Sequence, residues 1–281
     1  MNILVTGYNG QLGYDVVREG GIHNLNIIGV SRKDLDITNE LAVRKYVLKI
    51  KPDVIIHCAA YTAVDKAESD REQCWLVNVE GTKYLARAAK EINSKFMYIS
   101  TDYVFDGNGS RPYLETDIPN PISYYGLTKY EGEQLVQAIL NEYFIIRTSW
   151  VFGLNGKNFV KTMLQLAEQN NKLKVVSDQF GSPTYTKDLA RLLIDIIQTD
   201  KYGVYHATNE GFCSWADFAQ EIFIQSSKSI TVERIKTQEY PTVAVRPKNS
   251  CMSKKKLVDN GFEPLPLWQE AVFHYLNEIK P

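Results

Sequence analysis

The 281-residue chain lacks a strong charge of either sign: 32 Lys and Arg stand against 33 Asp and Glu, for a formal net charge of -1. Binding a polyanion calls for a basic face, so nucleic acid is not an expected ligand. Long apolar runs are missing too, and none approaches the ~20 residues of a membrane-spanning helix. The opening MNILVTG enters a strand pattern with no basic region, apolar stretch and cleavage site of a leader peptide, so the expected location is the cytoplasm. Cysteine and histidine are scarce, at four each. Cys58, Cys74, Cys213 and Cys251 show no paired spacing, and His23, His57, His206 and His274 have no ligand-spaced neighbours. These absences argue against a disulfide scaffold and against a protein-built transition-metal site, and they fit a reducing compartment.

What the chain does have is alternation. The apolar runs NILVTG, NIIGVS, DVIIHCAA, KFMYIST and YFIIRTS are each followed by helical spacing. Such continuous runs suit strands buried on both faces of a parallel sheet, and the segments between them suit crossover helices, giving an α/β, doubly wound fold of right-handed β-α-β units. Residues 70–93 show the spacing best, with Leu85, Ala89 and Ile92 at i, i+4 and i+7. After about residue 150 the rhythm loosens and prolines at 183, 241, 247, 264 and 266 interrupt it, although KVVSD and GVYHATN still read as strands. The expectation is a dinucleotide-binding region over 1–150 and a smaller, mainly substrate-binding region over 151–281. Segments around 186–210 are expected to return to the first region, with a ligand cleft between the two.

The first strand ends in TGYNGQLG, which places Gly7, Gly10 and Gly13 at a strand-to-helix turn. Glycines there let the backbone turn tightly and approach a pyrophosphate, and the helix N-terminus offers free N–H groups and the positive end of its dipole. A fold that prefers NAD would carry an acid at the end of the second strand. This chain has Ser31, Arg32 and Lys33 instead, which suits a 2′-phosphate and favours NADPH, with NADH left open; the other reading of Arg32 is a solvated surface residue. Asp36 and Ile37 are candidates to contact adenine, and Asp36 is equally a candidate cap for the next helix.

In NPISYYGLTKYEGEQ, Tyr125 and Lys129 lie one helical turn apart. Of 17 tyrosines, only Tyr125 is followed by lysine at the fourth position. A neighbouring cation favours the phenolate, so this pair suits proton exchange with a carbonyl/alcohol couple; Tyr124 and Tyr130 read as packing residues. Leu135 and Ile139 are expected to bury the far end of the helix. At the end of the fourth strand, Ser100, Thr101 and Asp102 emerge on the edge where open α/β sheets bind ligands, and a hydroxyl there suits a reacting carbonyl. The bland alternative is a strand-end turn.

Together, TGYNGQLG, CAAYTAVDKAE, NVEGT, STDYVFDG, YYGLTKYEGE, RTSWVFG, DQFGSPTYT and RPKNSCMS resemble the dTDP-4-dehydrorhamnose reductase family of the extended short-chain dehydrogenase/reductase superfamily, over residues 1 to about 256. The resemblance implies a Rossmann domain with a smaller, interleaved substrate domain, and NAD(P)H-dependent reduction of a 4-keto nucleotide sugar in deoxysugar biosynthesis. It implies Thr101, Tyr125 and Lys129 as the catalytic set. Gly7, Gly10, Gln11, Leu12, Gly13, Ala60, Tyr61 and Thr62 fall on the cofactor, with Tyr125 and Lys129 also touching it. Thr101, Asp102, Tyr103 and Trp150 fall on the substrate, and Arg246 on its diphosphate, the alternative being an arginine that fixes a proline-bounded loop. The family also brings Mg2+ and a homodimer into view, neither readable from these residues. Tyr103 stands where the related dehydratases carry glutamate, which disfavours elimination. A 4-epimerase and a non-catalytic regulatory subunit like the methionine adenosyltransferase β subunit are the competing readings.

Overall fold

The structure is a computed structural model and describes residues 1–23 and 25–280. β1 (Asn2–Thr6), α1 (Gln11–Ile22) and β2 (Asn26–Val30) form the first β-α-β unit, and α2 (Glu40–Ile50) leads on to β3 (Val54–His57). A longer crossover follows: α3 (Val64–Ala67), α4 (Arg71–Trp75), a π-helical turn (Leu76–Glu80) and α5 (Gly81–Glu91) precede β4 (Lys95–Thr101). Then come α6 (Tyr124–Ile139), β5 (Tyr143–Thr148), β6 (Val151–Phe152), α7 (Phe159–Leu166), β7 (Lys172–Val176), β8 (Phe180–Gly181) and β9 (Thr184–Tyr185). The chain finishes with α8 (Thr186–Ile197), β10 (Gly203–His206), β11 (Cys213–Ser214), α9 (Trp215–Gln225), β12 (Thr231–Ile235), α10 (Lys255–Asp259) and α11 (Trp268–Ile279).

Six strands make one parallel sheet in the order β10-β5-β4-β3-β1-β2. The winding reverses at β1, so the carboxyl ends of β1 and β3 splay the loops that follow them and open a crevice between them. On one face, Leu12 and Val16 of α1 and Leu189 and Leu193 of α8 pack against Ile3, Val5 and Ile56. On the other, Val43 and Val47 of α2, Leu85 and Ala89 of α5 and Val136 of α6 cover Leu4, Ile55 and Ile145. The central strands are buried on both faces, as their unbroken apolar runs require. β2 differs: with a neighbour on one side only, it is mostly half-buried. A separate core gathers α7, α9 and α11 around aromatic residues that include Phe152, Tyr185, Phe218 and Tyr275, beside the parallel pair β7–β12. No helix among the described residues is long and apolar enough to cross a membrane.

The buried face of α6 departs from the expected apolar stripe. Leu135 and Ile139 are only half-buried, while Thr128, Lys129 and Glu133 face inward with Tyr125 and Val136. The reason is a polar clamp beneath the helix. Glu133 pairs with Arg147 of β5, whose Nη2 lies 2.6 Å from Oε2 and whose Nε donates to Oε1 at 2.9 Å. The Ser100 hydroxyl of β4 also donates to Glu133, at 2.5 Å. Both charged side chains are almost fully buried, so each depends on the other for compensation. Replacing Arg147 with Met strands the carboxylate. The expected loss is about 3–5 kcal/mol, read as a lowered urea midpoint; a midpoint within error of wild type would show that the clamp is dispensable.

Candidate active site

The glycine turn closes the first unit tightly. Gly7 adopts φ +71°, and a Cβ there would lie 2.7 Å from Ala59 Cα in the loop after β3. A Cβ on Gly13 would strike the Gly7 carbonyl oxygen. Gly10 occupies the N-cap of α1, no side chain caps the helix, and its first turn holds no acid. The N–H groups and positive dipole end of α1 are therefore left for an anion, which is the fit that a dinucleotide pyrophosphate requires. They open into a cleft of about 870 Å³ that runs from Arg32 and Ile37, past Ala60 and Tyr61, to Tyr103 and Trp150. Every site residue expected from sequence lines this cleft except Lys33 and Arg246.

At its adenine end the Ser31 hydroxyl donates to Asp34 at 2.7 Å, and the mostly exposed Arg32 places Nε 3.5 Å from Asp36. Asp36 accepts from the backbone N–H and the hydroxyl of Thr38 and does not cap α2; Asn39 does, accepting from the Ala42 N–H at 3.0 Å. The cap moved because an aspartate three residues early closes its own turn instead.

The middle of the cleft depends on a residue to which sequence reasoning gave no role. Asn78 sits in the π-helical turn, accepts from the Tyr61 N–H at 2.8 Å, donates to the Tyr61 carbonyl at 3.2 Å and donates to Thr128 at 3.0 Å. One amide thus joins the Ala60–Thr62 loop to α6. Its only sequence signal was a polar residue within NVEGT, on an inward face that it shares with Thr82 and apolar residues such as Val79 and Leu85.

At the far end the Thr101 hydroxyl donates to Asp102 Oδ1 at 3.0 Å and accepts from the Tyr103 N–H at 3.2 Å. Asp102 is buried, and its Oδ2 has no hydrogen-bond partner among the described residues. Burial pushes this carboxyl up to about 6, against the pull of the Ser250 and Thr101 hydroxyls. Tyr125 stands edge-on to Tyr103, with ring centroids 5.6 Å apart. Burial raises the Tyr125 phenol, and the neighbouring Asp102 adds to the shift, so the expected bias toward phenolate is reversed in this structure. Burial also lowers Lys129, to about 7, and its Nζ rests 4.0 Å from the centre of the Tyr98 ring. Desolvation is the largest influence on both groups and sets the direction of each shift. Tyr124 lies under the Arg71 guanidinium and Tyr130 packs beside Val104, Phe105 and Met252, so both are packing residues.

Trp150 takes a left-handed backbone (φ +49°) and stacks on Trp215 at 3.6 Å. Beyond it, Asn155 donates to the Asn9 carbonyl at 2.6 Å and ties the loop after β6 to the glycine turn. Arg246 lies elsewhere than expected. Its guanidinium forks onto Asp65 of α3 at 2.6 and 3.1 Å, and Asp65 also accepts from the Ala244 N–H. The arginine thus fixes the proline-bounded loop, and Asp65 is the partner that sequence spacing, 181 positions away, did not reveal.

The family model described as "RmlD substrate binding domain" matches residues 1–280. A dTDP-4-dehydrorhamnose reductase of Aggregatibacter actinomycetemcomitans is 43% identical over 286 residues, covering 96% of each chain. A crystal structure of a dTDP-4-dehydrorhamnose reductase from Clostridium acetobutylicum superposes with TM-score 0.97 at 44% identity and 99% coverage of both chains. The same enzyme from Bacillus anthracis, solved in complex with NADP, gives 0.96 at 42% identity and 99% coverage of both. By family model, sequence and fold alike, the chain belongs to the dTDP-4-dehydrorhamnose reductase family.

Proposed function

We propose that this chain reduces the 4-keto group of dTDP-4-dehydro-L-rhamnose to give dTDP-L-rhamnose, with NADPH as reductant. The observation that carries the reading is the convergence of the glycine turn, Thr101, Tyr125 and Lys129 on one cleft, in a chain that matches such reductases from end to end. The uncapped N-terminus of α1 suits the cofactor pyrophosphate, and Arg32 suits a 2′-phosphate once it turns from Asp36. Residues 1–150, with 186–210, would hold the cofactor, and most of the remainder the sugar nucleotide. The four free cysteines and the need for a reduced nicotinamide support a cytoplasmic setting for the reaction.

Bound NADPH supplies a hydride to the sugar carbonyl carbon. Tyr125 donates its phenolic proton to the oxygen as the alkoxide develops, so one hydride and one proton add across the C=O bond. Burial favours this direction, because it keeps the phenol protonated until the proton is needed. Lys129, held near neutrality in the free cleft, becomes the counter-charge for the phenolate left behind. Thr101 directs a hydroxyl at the carbonyl oxygen. The Trp150 ring, clamped by Trp215, and the Tyr103 ring offer flat walls for the sugar. Arg246 leaves Asp65 to meet the substrate diphosphate with charge-assisted hydrogen bonds.

Tyr125→Phe should lower turnover by ~10²–10⁴-fold while NADPH still binds, followed by nicotinamide absorbance and fluorescence. Near-wild-type turnover would sink the assignment, and a wild-type protein that binds NADPH but never oxidises it with the dTDP-4-keto sugar would favour a non-catalytic partner. Arg246→Leu should raise KM for the sugar nucleotide by about 10- to 100-fold, the worth of a hydrogen bond to a charged group, with little effect on NADPH affinity. An unchanged KM would confine Arg246 to its loop.

A further inference from the structure

We propose that Asp102 works as a neutral carboxylic acid that turns the Thr101 hydroxyl toward the substrate carbonyl, a positioning role set by its burial beside that hydroxyl. The inference rests on the reduction described above and concerns how its carbonyl is polarised. A threonine hydroxyl has one proton to give and two lone pairs to accept with. One lone pair of Thr101 is already taken by the Tyr103 N–H at 3.2 Å, and its single proton points at Asp102 Oδ1, 3.0 Å away. In that arrangement, the one adopted toward a carboxylate, Thr101 can offer the substrate oxygen only a lone pair, which repels it.

Protonating Asp102 reverses the bond. The carboxyl O–H donates to the second lone pair of Thr101, the backbone N–H keeps the first, and the freed threonine proton is available to the carbonyl. All three positions on the hydroxyl oxygen are then filled.

The surroundings of Asp102 favour the neutral form. The residue is 2% exposed, and Oδ2 makes no hydrogen bond among the described residues, the Ser250 hydroxyl lying near enough to pull on the carboxyl without closing one, a costly state for half of a carboxylate. The ionisable groups that face it from the elements packed around it are Tyr103 on its own turn, Tyr125 on α6 and Cys251 on the segment leading to α10. None is a cation. The nearby Arg246 faces Tyr103 and is committed to Asp65 in this structure, and to the diphosphate once substrate binds as proposed above. With burial as the largest influence, the carboxyl titrates at about 6 in the free protein, and a ligand that closes the cleft removes more water and moves it higher. Because the acid form is the competent one, turnover falls as pH rises through the value in the complex.

Two measurements test this. In the free protein, infrared difference spectra of wild type against Asp102→Asn should show a protonated-carboxyl stretch that disappears as pH rises through about 6. Its absence at acid pH would overturn the proposal, whatever the enzyme does. In turnover, wild-type kcat should fall about tenfold per pH unit above the pKa of the complex. Asp102→Asn, whose amide donates without titrating, should lose that limb, and Asp102→Leu should be slow at every pH. Introducing Thr101→Val into both the wild-type and the Asp102→Asn backgrounds should erase the limb and the difference between Asp and Asn. A limb that survives Thr101→Val would mean that Asp102 acts directly on Tyr125 or on the sugar, which refutes the role given to Thr101. If wild type fails to turn over the dTDP-4-keto sugar at any pH, the assigned reaction fails, and the infrared titration still decides whether Asp102 carries its proton.

Discussion

The buried pair between Glu133 and Arg147 is the constraint on which the reacting end of the cleft depends. It joins α6 to β5, and through Ser100 to β4, at the level where both strands deliver their carboxyl ends. α6 carries Tyr125 and Lys129, and β4 carries Thr101, so a single clamp sets the distance between the proposed proton donor and the hydroxyl proposed to face the same oxygen. Apolar packing would hold a helix on a sheet just as firmly but allow it to slide or roll. A fork of hydrogen bonds from a guanidinium to a carboxylate allows neither, because its geometry is satisfied at one rotation only. The cost is a polar stripe along a helix face that would otherwise be apolar, and it displaces Leu135 and Ile139 toward the surface.

Burial acts on the reacting groups in one consistent direction. Tyr125 and Asp102 are pushed toward their acid forms and Lys129 toward its neutral form, so the cleft carries less charge than its formula suggests. A low-dielectric site with its protons in place is poised to give one up, which is what a reduction asks of it. Two arginines near the cleft, the exposed Arg32 and the half-buried Arg246, are tethered to Asp36 and Asp65. Ligand phosphates therefore have to replace internal carboxylates, and the two acids keep the arginines extended and hydrogen-bonded in the meantime.

Much of this was legible in the sequence. Five strands could be read from unbroken apolar runs, because a strand covered on both faces has no choice of composition, and the glycine turn could be read because close backbone approaches exclude every other side chain. Tyr125 and Lys129 could be paired because helical spacing is local. What could not be read was whatever depends on a partner far along the chain. The Arg246–Asp65 fork spans 181 positions, and the hold of Asn78 on Tyr61 needs a π-helical turn that apolar periodicity cannot distinguish from an α-helix. The protonation of the Tyr125 and Lys129 pair was misjudged for a related reason. Spacing shows that two groups are neighbours, but not that both have left water.

Trp150 and Gly181 share a constraint of another kind. A side chain at position 181 would place its first carbon 2.8 Å from the indole of Trp150, which is itself stacked on Trp215. The two positions therefore form one unit of inheritance. A lineage can reshape this wall of the cleft only by surrendering the indole before gaining a side chain at 181, and that order of events restricts how such a site can drift toward sugars of other shapes.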